Sequence, residues 1–222
     1  MSTHGFAAVL FDLDGTLIDT APDFHWVINA LLKEEGKPEV SYAFIRQYVS
    51  NGARAMVEAA FNFAEGEAEF SRLHARMLDI YLSHLAVNSQ LFEGLDTCLA
   101  YLEQQQIPWG IVTNKPELYT TPLLDGLGLT KRCSTTICPD HVTHKKPDPE
   151  ALYLACREIN VAPSECIYVG DHIRDIQAGQ RAGMTTVAAS YGYLDTDEDI
   201  QSWQADHIID DSTALLPLLH SL

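Results

Sequence analysis

Hydrophobic positions along the chain follow two rhythms. Short unbroken apolar runs recur at "AAVLF", "PWGIVT", "STTIC", "CIYVG", "TTVAAS" and "HIID". Each is bounded by Gly, Pro or polar residues, and several are rich in Val and Ile, which predicts strands. Between them lie segments of helical spacing. "GLDTCLAYLEQQ" puts Leu95, Cys98, Leu99 and Leu102 on one face, and "PEALYLACREI" does the same for Leu152, Ala155 and Ile159. Strand–helix alternation of this kind predicts an α/β fold, an open parallel sheet with helices on both faces.

One region breaks the alternation. From Ile18 to Val87 no strand pattern is evident. "TAPDFHWVINALLKEEG" carries a helix start in Thr20 and Pro22 and a stop in Gly36. "NGARAMVEAAFNFA" and "AEFSRLHARMLDIYLSHL" are amphipathic and rich in Ala and Leu. The expected organisation is a discontinuous core of residues 1–17 and 88–222, with an all-helical unit, 18–87, inserted after the first strand. The tail "DSTALLPLLHSL" reads as a docking helix despite Pro217.

Composition narrows the function. The 222 residues are 46% hydrophobic, enough for a substantial core. The formal net charge of −17 argues against a nucleic-acid partner and against an anionic membrane surface, both of which need clustered Lys and Arg. No uninterrupted apolar stretch is long enough to cross a bilayer, and "MSTHGF" lacks a signal-peptide pattern. Cys98, Cys133, Cys138, Cys156 and Cys166 show no C-x-x-C spacing and read as reduced thiols of a cytoplasmic protein.

Candidate chemistry gathers where the apolar runs end. The first run stops at Asp12, with Asp14, Gly15 and Thr16 behind it; "GIVT" ends at Thr113, before Asn114 and Lys115. Lys145 and Lys146 follow the third run, and "CIYVGD" ends at Asp171, with Asp175 one helical turn on. In open parallel sheets ligands bind beyond the carboxyl ends of the strands, so these residues are expected to share one crevice. Two unit charges about 4 Å apart repel by about 4 kcal/mol at an effective dielectric near 20. Asp12, Asp171 and Asp175 therefore need a shared cation, and hard oxygen donors without His or Cys favour Mg2+. Metal and lysine facing acids make a phosphoryl site. Asp12 suits a nucleophile and Asp14 an acid/base, with Gly15 permitting a tight turn that brings backbone N–H groups to the phosphate.

"DLDGT", "VTNK", "KKPDPE" and "GDHIRD", in that order, resemble the four motifs of the haloacid dehalogenase superfamily. The resemblance implies a Rossmann-like core with a parallel sheet and an inserted helical cap. It implies an aspartyl-phosphate on Asp12 and proton transfer by Asp14, whose backbone carbonyl also ligates Mg2+. Thr113 and Lys146 hold the phosphoryl oxygens, with Asn114 beside them; Asp12, Asp14 and Asp171 form the metal site and Asp175 supports it. His172 stands where many relatives carry Ser or an acid. Within the superfamily, "APDFHWVINALL", "SNGARAM", "LFEG", "VTNKP" and "KPDPE" are similar to the phosphoglycolate phosphatase group. "NGARAM", "VTNKP", "ICPDHV" and "YGY" look closest to N-acetylmuramic acid 6-phosphate phosphatases.

The expected substrate is thus a small phosphate ester that also carries a carboxylate, with Arg54 of the cap as its carboxylate-binding residue. Cap motion is expected about crossings near Ile18 to Ala21 and Val87 to Gln90. The expected assembly is a monomer or weak homodimer. Alternatives are a phosphomutase of the β-phosphoglucomutase type and a non-catalytic phospho-ligand binding protein on the same fold. A dehalogenase is disfavoured by the presence of Asp14.

Overall fold

The computed structural model describes residues 5–63, 66–194 and 198–222; part of "MSTHGF" lies outside them. In chain order the elements are β1 (Ala8–Phe11), β2 (Ile18–Asp19), α1 (Ala21–Glu34), α2 (Tyr42–Arg46), α3 (Gly52–Phe61), α4 (Ala68–Ser83), β3 (Gln90–Leu91) and α5 (Leu95–Gln104). There follow β4 (Trp109–Val112), α6 (Glu117–Gly126), β5 (Thr135–Ile137), α7 (Glu150–Ile159), β6 (Cys166–Gly170), α8 (Ile173–Ala182), β7 (Thr185–Ala189), β8 (His207–Ile209) and α9 (Leu215–Ser221).

All six expected strands form, and they pair in parallel in the order β5-β4-β1-β6-β7-β8. Direction of winding reverses at β1, the place where such sheets open a crevice. Residues of β1, β4 and β6 are buried on both faces, which is why they read as apolar runs rather than alternating ones. One face packs on α5 and α9 through Val9, Phe11, Leu99, Trp109 and Leu219; the other packs on α7 and α8 through Leu10, Leu152, Tyr168 and Ala178. Pro217 sits in the first turn of α9, where its missing N–H would have no helical partner in any case.

Helices α1 to α4 form the inserted helical cap. They enclose a separate core in which Phe24, Val27, Ile28, Leu31, Met56, Phe61, Leu73, Met77 and Tyr81 are buried. Trp109 is buried in the main core, whereas Trp26 is half exposed and stacks on His84 at 3.7 Å between ring centroids.

One sequence expectation fails here. The region from Ile18 is not free of strand: β2 pairs antiparallel with β3, Ile18 opposite Leu91 and Asp19 opposite Gln90. Two residues are too few to give a periodic signal. This ribbon lies where the chain passes from core to cap and back. Asp23, fully buried at the start of α1, reinforces it by accepting from the Asn88 and Ser89 backbone N–H groups and the Ser89 hydroxyl.

The start of α1 is also unusual. Thr20 occupies the N-cap position, but its hydroxyl does not cap the helix; it donates to Asp14 Oδ1 at 2.6 Å. The Tyr193 hydroxyl instead accepts the N–H groups of Thr20 and Ala21, at 2.7 and 2.9 Å, and donates to Asp19 Oδ1. A side chain from the segment after β7 thus satisfies donors that a helix start leaves open.

Candidate active site

Strand register brings the site together. Phe11 lies opposite Ile111 and Val169, so the next residues, Asp12, Val112–Thr113 and Gly170–Asp171, end their strands side by side. Asp12 is fixed by two bonds to Oδ1, from the Leu13 N–H at 2.7 Å and from Lys146 Nζ at 2.8 Å. Gly15 turns the chain with φ of +83°, and any side chain there would collide with the Asp171 carboxylate.

Lys146 is the buried hub, only 2% exposed. Its Nζ lies 2.7–2.8 Å from Asp12 Oδ1, Asp175 Oδ1, the Val112 carbonyl and the Tyr168 hydroxyl, one oxygen more than its three protons serve. Asn114 clamps the Lys146 backbone: its Nδ2 donates to the Lys146 carbonyl and its Oδ1 accepts the Lys146 N–H. Thr113 is buried, and its hydroxyl oxygen accepts from the Lys115 N–H.

Asp171 is buried and held by three donors: Thr16 Oγ1 on Oδ1, and the Tyr193 N–H and Ser50 Oγ on Oδ2. Ser50 belongs to the cap. Asp175, with no exposure, accepts from Lys146 and from the His172 N–H while His172 caps α8. Ligand oxygens of Asp12, Asp171 and Asp175 lie within 4.8 Å of one another.

That proximity leaves a charge imbalance. Burial, then Asp175, raises the Asp12 carboxyl above the usual carboxylate range, against the pull of Lys146. Burial, then Asp12 and Asp175, pushes Asp171 up to about 7. Three buried carboxylates against the Lys146 amine and the nearby Arg174 guanidinium still form an oxygen-only donor set short of positive charge, which fits a divalent cation of the hard kind. The sign of the pH dependence follows. A carboxyl whose pKa is raised on folding binds its proton more tightly in the native state. Its contribution is complete below about pH 4 and is lost as pH rises through about 7. Chelator-treated protein is therefore expected to show a Tm that falls between pH 5 and 7.5. Adding Mg2+ should restore more of it at pH 7.5 than at pH 5; equal Tm values under all four conditions would contradict the shared-cation account.

Asp14 points away from this cluster. Besides the Thr20 hydroxyl, Oδ1 accepts from Lys115 Nζ at 2.9 Å. Lys115 also donates to the Tyr81 hydroxyl of α4 at 2.7 Å and lies over the rings of Phe24 and Tyr81. Burial pulls the Lys115 amine down, but Asp14 and Tyr81 outweigh it and leave it above the usual lysine range.

The crevice opens into a cavity of about 380 Å³ between core and cap. Core residues Asp12, Thr113 and Asn114 meet cap residues Ser50, Arg54 and His74 and the aromatics Phe24, Tyr81 and Tyr119 along its wall. Arg54 is exposed at this wall, near enough to His74 to add to the lowering that burial imposes on its imidazole. Sequence alone gave no role to Ser50, Arg174 or Tyr193, placed Lys115 at the crevice without a partner, and read Thr20 as a helix start; the structure brings all five to the site or its border. Tyr193 lies in the "YGY" segment, whose Gly192 lets the backbone approach Asp171 and whose Tyr191 hydroxyl donates to the Thr16 carbonyl.

Fold and site together define a capped phosphomonoester hydrolase that works through an aspartyl-phosphate. The chain belongs to the family of haloacid dehalogenase-like hydrolases, whose sequence profile it matches over residues 9–189. It is 44% identical over 214 residues to the N-acetylmuramic acid 6-phosphate phosphatase of Pseudomonas putida, covering 96% of each chain. It is 45% identical over 203 residues to the phosphoglycolate phosphatase of Xanthomonas campestris pv. campestris, covering 91% of each. The crystal structure of a predicted phosphoglycolate phosphatase from Haemophilus somnus superposes with a TM-score of 0.85 at 28% identity, covering 98% of this chain and 99% of that one.

Proposed function

We propose that the protein is a Mg2+-dependent phosphatase for a small ester bearing both a phosphate and a carboxylate, and that N-acetylmuramic acid 6-phosphate suits it better than 2-phosphoglycolate. The observation that carries the reaction is the convergence of Asp12, Asp171, Asp175 and Lys146. Asp12, Asp171 and the Asp14 backbone carbonyl would hold Mg2+, which supplies charge neutralisation when bound. Lys146, Thr113 and the turn at Gly15 bind the phosphoryl oxygens; Asn114 sets the Lys146 loop, and Asp175 orients the Lys146 amine.

The Asp12 carboxylate forms the bond to phosphorus while the ester oxygen leaves. Asp14 gives that oxygen a proton, then takes one from the water that hydrolyses the acyl phosphate. Residues 18–87 form the unit that moves, with the β2–β3 ribbon at its base. Its closure excludes water from the first step.

Substrate choice rests on the cavity. Its volume of about 380 Å³ and its aromatic wall of Phe24, Tyr81 and Tyr119 suit a phosphorylated sugar more than a two-carbon acid. The relatives named for N-acetylmuramic acid 6-phosphate lend the same direction. Ranking phosphorylated metabolites by kcat/KM tests this: the sugar acid phosphate should lead, and 2-phosphoglycolate in first place would reverse the assignment. Release of inorganic phosphate rather than an isomeric ester separates hydrolysis from mutase action.

Arg54 is assigned to the carboxylate. Arg54→Ala should raise KM for carboxylated esters about tenfold or more and leave p-nitrophenyl phosphate nearly unaffected. An unaltered KM for every carboxylated ester would refute the assignment.

A further inference from the structure

Arg174, near the start of α8, stands on the core side of the same cavity, opposite the cap. Its Nη2 donates to the Ser50 carbonyl. Its Nε is enclosed by protein and has no hydrogen-bond partner among the described residues. Buried donors without an acceptor are rare and costly. The other cations near the phosphate end already have ionic partners: Lys146 lies between Asp12 and Asp175, and Lys115 is engaged by Asp14 and Tyr81. The Arg174 charge is felt at Asp12, where it favours the carboxylate, so the guanidinium lies close to the reacting end.

We infer that Arg174 binds substrate: its guanidinium, which lines the cavity, donates to an oxyanion of the bound ester, phosphoryl or carboxylate, while Nη2 keeps hold of the Ser50 carbonyl. This inference rests on the phosphatase assignment above. A planar guanidinium can serve two acceptors on different edges, which a lysine cannot do with fixed geometry. One group then joins the ligand on the core to the cap loop that bears Ser50 and Arg54. Ser50, so held, keeps its hydroxyl on Asp171 at 3.1 Å. Substrate occupancy and cap-loop order are thereby linked through a core residue, separately from the cap residue Arg54.

The test compares the intact protein with Arg174→Met and Arg174→Lys in the presence of Mg2+. Binding of inorganic phosphate is measured by calorimetry, and KM and kcat are measured for p-nitrophenyl phosphate and 2-phosphoglycolate. R174M is expected to lose about tenfold or more in affinity, with KM rising while kcat changes far less, and R174K to recover part of it. If the oxyanion is phosphoryl, phosphate binding and both esters are affected; if it is carboxylate, 2-phosphoglycolate alone is. Unchanged KM for both esters and unchanged phosphate affinity in a folded R174M would overturn the inference. A fall in kcat and Tm at constant KM would do the same, because it is the signature of a residue that only holds Ser50. Should R174M fail to fold, R174K carries the test, with a loss of several-fold in affinity at near-parental Tm expected and parental affinity overturning. Phosphate binding is read independently of turnover. A native protein that hydrolyses no ester would therefore overturn the phosphatase assignment alone.

Discussion

Asp12→Asn should abolish turnover of p-nitrophenyl phosphate, by about 10⁴-fold or more, while leaving the fold at least as stable as before. Loss of activity follows from the amide, which cannot form the acyl phosphate. Stability follows from the electrostatics of the site. Burial and Asp175 both disfavour the Asp12 carboxylate, so the native state carries a cost there that Asn removes. Asn keeps an oxygen for the Leu13 N–H and for Lys146, and Asp175 remains as the amine's ionic partner. The checking measurements are initial rates with Mg2+ and a thermal melt of chelated protein. Activity within about tenfold of the parent would remove Asp12 from the role of nucleophile. A sharply lowered Tm would mean that its carboxylate is chiefly structural. The combination of a dead enzyme and an undiminished fold is expected where function requires charges that packing alone would reject.

Lys146→Met should behave differently, losing both activity and stability. Methionine fills much of the same volume but leaves Asp12 and Asp175 buried without the ammonium that lies 2.8 Å from each. Removing one partner from a buried ionic cluster costs about 3–5 kcal/mol. In a chain of this length that lowers Tm by about 10 °C. The loss should grow with pH. Lys146 opposes the rise of the Asp12 pKa, so removing it raises that pKa further. A carboxyl raised on folding contributes stability at low pH that disappears as pH climbs through its native value. Denaturant titrations of metal-free protein at pH 6 and 8 should therefore show the larger deficit at pH 8. Parental stability at both pH values, with kcat retained, would mean that Lys146 neither neutralises the acids nor binds phosphate.

Much of this architecture was legible in the chain because its central strands are buried on both sides. "AVLF", "WGIV" and "CIYVG" have no solvent face, so they appear as unbroken apolar runs, and the polar residues that end them stand out. Asp12, Thr113 and Asp171 were visible for that reason, and Lys146 through its motif. Contacts that depend on tertiary approach were not visible. Nothing local marks Ser50 as the cap residue that reaches Asp171, or Tyr193 as the group that receives the start of α1 across 173 positions of sequence. Thr20 had the right residue type and place for an N-cap, yet its hydroxyl is taken by Asp14, a competition that propensity cannot register.

The paired β2–β3 ribbon has a mechanical consequence. Because the outgoing and returning strands are hydrogen-bonded to each other, and Asp23 ties the return segment to α1, the four-helix body is attached by a double strap rather than a single tether. Sliding or twisting free would break those bonds. Swinging about the line of the strap would spare them, at the cost of the direct bonds that Arg46, Ser50 and Tyr81 make to Tyr191, Asp171 and Lys115.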